Sequence, residues 1–151
     1  MIYEVIIVAN VFDVAKYFLE KLGKMSTWKL HKLCYYAQAW TLAWDEKELF
    51  PEEFEAWSNG PVCPVLFHEH KGMFMIEFDQ LKRGDPAIFS PEEKENLDVV
   101  CRDYGDKDPY WLKEQTHGED PWKIARGDLP VGAPSNAIIS KDSMGIYYGG
   151  L

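Results

Sequence analysis

The sequence TWKLHKLCYYAQAWTLAW occupies residues 27–44 and has the residue spacing of a buried helix. Its apolar side chains recur at helical intervals and form one stripe: Leu30, Leu33, Cys34, Ala37, Trp40 and Trp44. Tyr35 and Tyr36 widen the stripe beyond one face, so neighbouring elements must cover this helix on more than one side. We therefore predict a central helix over these residues, capped by Ser26 or Thr27.

The segments before and after this stretch carry the start and stop signals of further helices. Asn10 and Gly23 bracket an amphipathic run as N-cap and left-handed terminator, and Ser90 followed by Pro91 opens another helix. The predicted helices besides the central one cover residues 11–22, 64–70, 91–104, 109–115, 120–126 and 138–148. We expect Gly145 to break the last of them.

Three stretches leave their secondary structure open. Residues 73–78 and 87–89 fit either short strands or an ordered loop over the core, and residues 1–8 fit either a strand or a lead-in to the first helix. No repeat or linker divides the chain, so residues 1–151 are treated as one domain. The predicted fold class is mainly α: a compact single-domain bundle of about six or seven helices, with a minor β-hairpin as an optional addition.

Composition fits a cytoplasmic globular protein. Of the 151 residues, 46% are hydrophobic and 15% aromatic, which excludes a disordered tail. The longest uncharged runs hold 12 residues, fewer than the roughly 18 needed to cross a bilayer, so we predict no membrane contact. The apolar N-terminus lacks a basic leader and a cleavage site, which argues against a signal peptide. Cys34, Cys63 and Cys101 form no CxxC pair and predict reduced thiols.

Charge is unevenly distributed along the chain. The formal net charge of 16 − 25 = −9 disfavours nucleic acid and suits a basic partner. Residues 14–44 hold five lysines against one acid, whereas residues 45–55 hold six acids against one lysine. The favoured interpretation is two solvated faces that partly complement each other within the fold. The alternative is a docking surface that steers a basic partner to the acidic segment.

The histidines and cysteines do not have the spacing of a metal site. His31 and Cys34 lie one helical turn apart, and His68 and His70 point to different sides of a helix. No zinc-finger, HExxH or CxxC spacing brings about four ligands together. We predict no metal and no cofactor, with His31 at a cap or core edge and Cys34 buried.

For His117 and its candidate partners, a role in nucleophilic catalysis is less well supported than a structural role. His117 could act with Cys34 or Glu119 in a hydrolase or transferase, provided that these side chains converge in one pocket. No GxSxG motif, glycine-rich phosphate loop or paired-carboxylate spacing supports this. We predict that the protein is not an enzyme. His117 is instead expected to bond free backbone groups between two short helices, the second capped by Asp120.

Four strings, in the same order along the chain, closely resemble the signature of the Panacea domain, the SocA-like family of phage-associated proteins. Residues 30–40 resemble its KLxKLLYYAQGW helix and residues 55–64 its EAWxxGPVxP turn. The pairs Thr116-His117 and Pro121-Trp122 resemble its TH…PW signature, and residues 13–19 its opening helix. The matching positions, structural or partner-binding, are His31, Lys32, Tyr35, Tyr36, Gln38, Trp40, Glu55, Trp57, Gly60, Pro61, Thr116, His117, Pro121 and Trp122.

The resemblance is strongest over residues 13–122 and implies both a fold and a function. It implies a mainly helical antitoxin of a toxin–antitoxin system, often prophage-associated, that binds and neutralises a cognate toxin. The alternative that it offers is a proteolytic adaptor that delivers a toxin to a cellular protease. The family is not known for an active site, so none of the matching residues is expected to be catalytic. A homo-oligomer is left open.

Overall fold

The computed structural model describes residues 8–151, which form seven α-helices joined by short strands and loops. The helices are α1 (Val11–Leu22), α2 (Thr27–Asp45), α3 (Pro64–His70), α4 (Pro91–Tyr104), α5 (Pro109–His117), α6 (Asp120–Arg126) and α7 (Lys141–Gly149). The mainly α prediction is confirmed. The question of strand or helix over residues 1–7 lies outside the described residues. Within residues 8–151, no helix is long and apolar enough to cross a membrane.

Five short strands form two small antiparallel sheets within the described residues. β1 (Met25–Ser26) pairs with β4 (Met75–Ile76). β2 (Phe54–Trp57) lies between β3 (Gly60–Val62) and β5 (Ile138–Ile139). A minor hairpin is therefore present, as the fold-class prediction allowed, but β2 and β3 form it on either side of a tight turn, where the sequence analysis assigned no strand.

Helix α2 is the centre of the molecule, as its sequence predicts. Every residue from Leu30 to Ala39 is buried, and the helix packs against α1, α4, α5, α7 and β3. The Ser26 side chain accepts a hydrogen bond from the Lys29 N–H and is the N-cap. At the other end, Glu46 adopts a left-handed conformation (φ 55°) and donates its N–H to the Leu42 carbonyl.

Several boundaries differ from the predictions. The α6 N-cap is Glu119 rather than Asp120, and its side chain makes no capping bond because it is used elsewhere. α7 is not broken at Gly145, and the residues before it form β5 instead. Residues 87–89 form no strand, and the 73–78 stretch contributes only the two residues of β4 before a 3₁₀ turn at Phe78–Gln80.

Trp40 and Trp44 on α2 are less buried than their spacing in the apolar stripe suggests. Trp40 is half-buried: its ring stacks on Trp44 at 5.2 Å between centroids, and its Nε1 donates to the Tyr104 hydroxyl at 2.9 Å. Trp44 and Trp111 are 43% and 39% exposed. The aromatic stripe of α2 therefore continues onto the surface at its C-terminal end.

Replacing Trp40 by alanine tests this arrangement. We expect Trp40→Ala to lower the free energy of unfolding by about 2–4 kcal/mol, because it removes a half-buried ring and leaves the Tyr104 hydroxyl without its donor. Urea unfolding followed by circular dichroism measures the loss. Trp44→Ala is the matched control, with an expected loss of about 1 kcal/mol or less, since that ring is more exposed. Equal losses would contradict the placement of Trp40.

Candidate functional site

Lys32, Gly60 and Thr116 come from three of the four signature strings and meet beside the N-terminal half of α2. Gly60 is the first residue of β3 and has a φ of 113°, a backbone conformation that residues with a side chain rarely adopt. A Cβ built on Gly60 would lie 2.4 Å from Lys32 Cε and 3.2 Å from Thr116 Oγ1. The glycine is therefore required because the lysine side chain crosses directly over the hairpin backbone.

The Lys32 ammonium is buried without a counter-ion among the described residues. The residue is 1% exposed, and its one hydrogen bond runs from Nζ to the Pro61 carbonyl at 3.5 Å. Nζ also lies 5.4 Å from the centre of the Trp28 ring. Burial, followed by the nearby charge of Lys113, lowers the pKa of Lys32 to about 7. At neutral pH this lysine is thus poised between its charged and neutral forms.

A cavity of about 180 Å³ lies over this lysine. Its walls include Trp28, Lys32, Asn59, Phe74, Tyr110 and Lys113, and we call it the lysine pocket. Phe74 and Tyr110 stand at its rim and are 71% and 69% exposed. The pocket therefore combines a recessed cation with large apolar side chains presented to solvent.

His117 lies beside this group but does not bond the backbone as predicted. Its ring stacks on Trp122 at 3.9 Å between centroids, and its buried Nε2 has no hydrogen-bond partner in the described chain. Burial, followed by the charge of Lys113, lowers the pKa of His117. Trp122 is itself fixed by a 2.9 Å bond from its Nε1 to the Trp57 carbonyl, and Arg126 covers its ring. The Pro121-Trp122 signature thus anchors α6 to the β2–β3 hairpin.

His31 belongs to a second cluster, in the core rather than at a cap. Its Nδ1 accepts the Cys63 N–H at 3.1 Å, so its proton must lie on Nε2, which is 2.6 Å from His70 Nε2. His70 therefore accepts on Nε2 and carries its proton on Nδ1, a buried atom without a partner among the described residues. Burial lowers the pKa of both histidines.

Glu119 is the centre of a third cluster. Its carboxylate accepts the hydroxyls of Tyr36 at 2.7 Å and Tyr148 at 2.8 Å, and the Gln115 amide at 3.2 Å. Burial raises the pKa of Glu119 and of both tyrosines. Tyr35 joins the cluster because its hydroxyl lies 3.2 Å from the Tyr148 hydroxyl, whose single proton goes to Glu119. These bonds tie α2, α5, α6 and α7 together, a role that the sequence did not indicate for Glu119.

The remaining signature residues hold loops and the hairpin. The Gln38 amide accepts the Leu49 N–H at 2.7 Å and donates to the Phe50 carbonyl at 2.6 Å, which fixes the chain after α2. On β2, the Glu55 carboxylate accepts the Trp57 indole N–H at 2.8 Å.

The groups that a catalytic interpretation needs do not converge in the described part of the chain. His117 makes no hydrogen bond with Cys34 or Glu119, whose carboxylate already has three donors. Burial raises the pKa of the Cys34 thiol, which keeps it protonated. Among residues 8–151, no group of three or more histidine, cysteine or acidic side chains is placed to hold a metal.

The middle of the chain matches a protein family model. A family model described as antitoxin SocA-like, Panacea domain, matches residues 30–123. This range includes every signature position from His31 to Trp122, whereas Arg126 and Tyr148, which contact Trp122 and Glu119, lie outside it. No curated protein and no solved structure matches the chain.

Substituting Gly60 tests the contact between the hairpin and Lys32. We expect Gly60→Ala to cost about 2–4 kcal/mol of unfolding free energy, from backbone strain and from the clash with Lys32 Cε. Gly127→Ala is the matched control, since Gly127 also has a positive φ (59°) but its Cβ would meet nothing within 4 Å. Its loss should be about 1 kcal/mol, from strain alone. Equal losses, measured by urea unfolding, would show that the lysine does not crowd residue 60.

Replacing Lys32 by methionine tests the buried charge. Because the folded pKa is depressed, the unfolded state binds more protons between pH 7 and about 10, so the contribution of Lys32 to stability rises with pH in that window. We expect the wild type to gain about 3–5 kcal/mol relative to Lys32→Met between pH 6 and pH 10. Paired urea titrations at these pH values, under reducing conditions, measure the difference. A difference that is independent of pH would contradict the depressed pKa.

Proposed function

Because the chain belongs to the family of SocA-like antitoxins with a Panacea domain, we propose that it neutralises a cognate toxin by direct protein–protein binding. The match over residues 30–123 carries the proposal. Three hydrogen bonds of signature residues support it, because they hold the hairpin and the surrounding helices against α2 as one rigid unit. These bonds join Tyr36 to Glu119, His31 to Cys63 and Trp122 to Trp57. In this proposal the protein covers its toxin and performs no catalytic step.

A candidate contact surface surrounds the lysine pocket. Met73, Phe74 and Met75 are 37%, 71% and 39% exposed, and Tyr110 on the facing wall is 69% exposed. We call these four residues the apolar rim. Large aromatic side chains and methionine are enriched where proteins bind one another, and consecutive exposed apolar residues are uncommon on a free surface.

The rim is held by the scaffold rather than by a loose loop. The Thr27 N–H donates to the Phe74 carbonyl at 2.9 Å, and Met75 pairs with Ser26 in the β1–β4 sheet. Tyr110 lies in the first turn of α5, whose N-cap is Asp108. Such anchoring keeps the apolar side chains in place before binding and so lowers the entropic cost of association.

Charge on the opposite end of α2 supports a basic partner. The acidic segment, residues 45–55, is only partly neutralised within the fold: Lys141 Nζ lies 2.7 Å from Glu48 and 3.5 Å from Glu53. Glu52 accepts the Val11 N–H at 2.9 Å. The other acids of the segment stay available to accelerate the approach of a positively charged toxin.

Co-expression tests the proposed function. The chain is produced in bacteria together with the protein encoded beside it, and growth and co-purification are measured. Restored growth with a stable complex supports neutralisation by binding. Restored growth with toxin that disappears only when a cellular protease is present indicates the adaptor alternative. A toxic neighbour that is neither bound nor neutralised would refute both.

Introducing negative charges into the apolar rim tests the contact surface. We expect Phe74→Glu combined with Tyr110→Glu to abolish co-purification and rescue, because two buried carboxylates would face the partner. Both side chains are largely exposed, so the unfolding midpoint should stay near the parent value. Ile146→Glu is the matched control, since Ile146 is 78% exposed on α7 and outside the rim. Full rescue by the double variant would place the interface elsewhere.

A further inference from the structure

Lys32 lacks the partners that a buried ammonium requires. The group has three N–H donors, and the described residues supply one acceptor, the Pro61 carbonyl, at the long distance of 3.5 Å. No carboxylate among residues 8–151 lies within 4.0 Å of its nitrogen. Buried charges in proteins are normally paired. The Glu119 cluster shows the contrast, since its three donors satisfy the carboxylate fully.

The surroundings of Lys32 favour an anion. Lys113 lies on the wall of the same pocket, and its charge acts on Lys32 in the direction that disfavours the ammonium form. Both lysines influence His117, which carries a buried nitrogen without a partner among the described residues, and Lys32 also influences His31. A single negative charge placed between the lysines would relieve their repulsion and supply the missing acceptors.

The size and rim of the pocket favour a polypeptide side chain over a free ligand. A volume of about 180 Å³ is below the roughly 300–1,000 Å³ of sites that enclose drug-sized molecules. The exposed Phe74 and Tyr110 provide apolar contacts on either side of the opening. Because Lys32 is only 1% exposed, a partner side chain must enter the pocket, between Trp28 and Lys113 on its walls, to reach the ammonium group.

We propose that the lysine pocket receives one carboxylate side chain, aspartate or glutamate, flanked by apolar residues of the bound toxin. The proposal rests on the proposed function and names the chemistry of one contact within it. The net charge of −9 on this chain favours a partner with a positive net charge. The recessed cation instead determines which segment of that partner lies over the pocket. Binding would also return the pKa of Lys32 towards its ordinary value.

Peptide binding to the isolated chain tests the pocket without any toxin. The probes are acetyl-Phe-Glu-Phe-amide, its glutamine counterpart, and acetyl-Phe-Phe with a free C-terminus. Titrations are followed by NMR of the ¹³Cε-labelled lysines. We expect the glutamate peptide to shift the Lys32 signal and to bind about tenfold more tightly than the glutamine peptide, as a charge-assisted hydrogen bond requires. It should also raise the pKa of Lys32. Tighter binding of the free C-terminus would overturn the side-chain assignment.

Variants locate the effect. Lys32→Met should reduce affinity for the glutamate peptide to that of the glutamine peptide, and Lys113→Gln should weaken it about threefold. Lys94→Met, which removes the same charge from the exposed face of α4, should change nothing. Equal affinities of the two peptides for the wild type, or an unchanged affinity in Lys32→Met, would overturn the proposal. If Lys32→Met does not fold, the comparison of the two peptides decides alone.

The outcomes separate this proposal from the proposed function. If the wild type fails to restore growth in the presence of the toxin, the proposed antitoxin function is refuted. The peptide titration would still measure whether the pocket binds a carboxylate. Rescue and complex formation that persist unchanged in a folded Lys32→Met would overturn the pocket contact and leave the antitoxin role intact.

Discussion

The whole structure depends on one constraint: α2 is buried along almost its full length, yet it carries polar side chains that must find partners. His31 and Tyr36 reach groups 39 and 83 residues away along the chain, and Gln38 holds the loop that follows the helix. Those bonds decide which elements lie against which face of the helix. Unsatisfied buried groups are costly, so the polar residues of α2 specify the arrangement, whereas its apolar residues supply most of the driving force.

Much of the helical layout could be predicted because its signals are local. Asn10, Ser26 and Ser90 are N-caps at the predicted positions, and Pro91 occupies the first turn of its helix. The missed strand at 138–139 pairs with β2 far along the chain, and nothing in two isoleucines identifies that partner. The seventh helix continues through Gly145 because it packs on α2, and tertiary contact outweighs the weak propensity of one glycine.

The site was harder to predict than the helices. The sequence marked His117 and Glu119 together because they are two residues apart, but the structure turns them to different partners, Trp122 and the pair of buried tyrosines. The contact between His31 and His70 had no local signal beyond the placement of His70 on a different helix side from His68. Long-range pairing of polar groups is encoded jointly by separate segments, which single-segment patterns do not reveal.

The signature residues differ in how many of their polar groups are hydrogen-bonded. The contact between Lys32 and Gly60 also has a consequence for which substitutions the chain can accept. The lysine stem fills the space that any larger residue at position 60 would need. The side chain at position 32 therefore limits what position 60 can accept. A side chain at position 60 is strained in any case, because φ there is 113°, and it fits the available space only if the lysine at position 32 has been shortened beforehand.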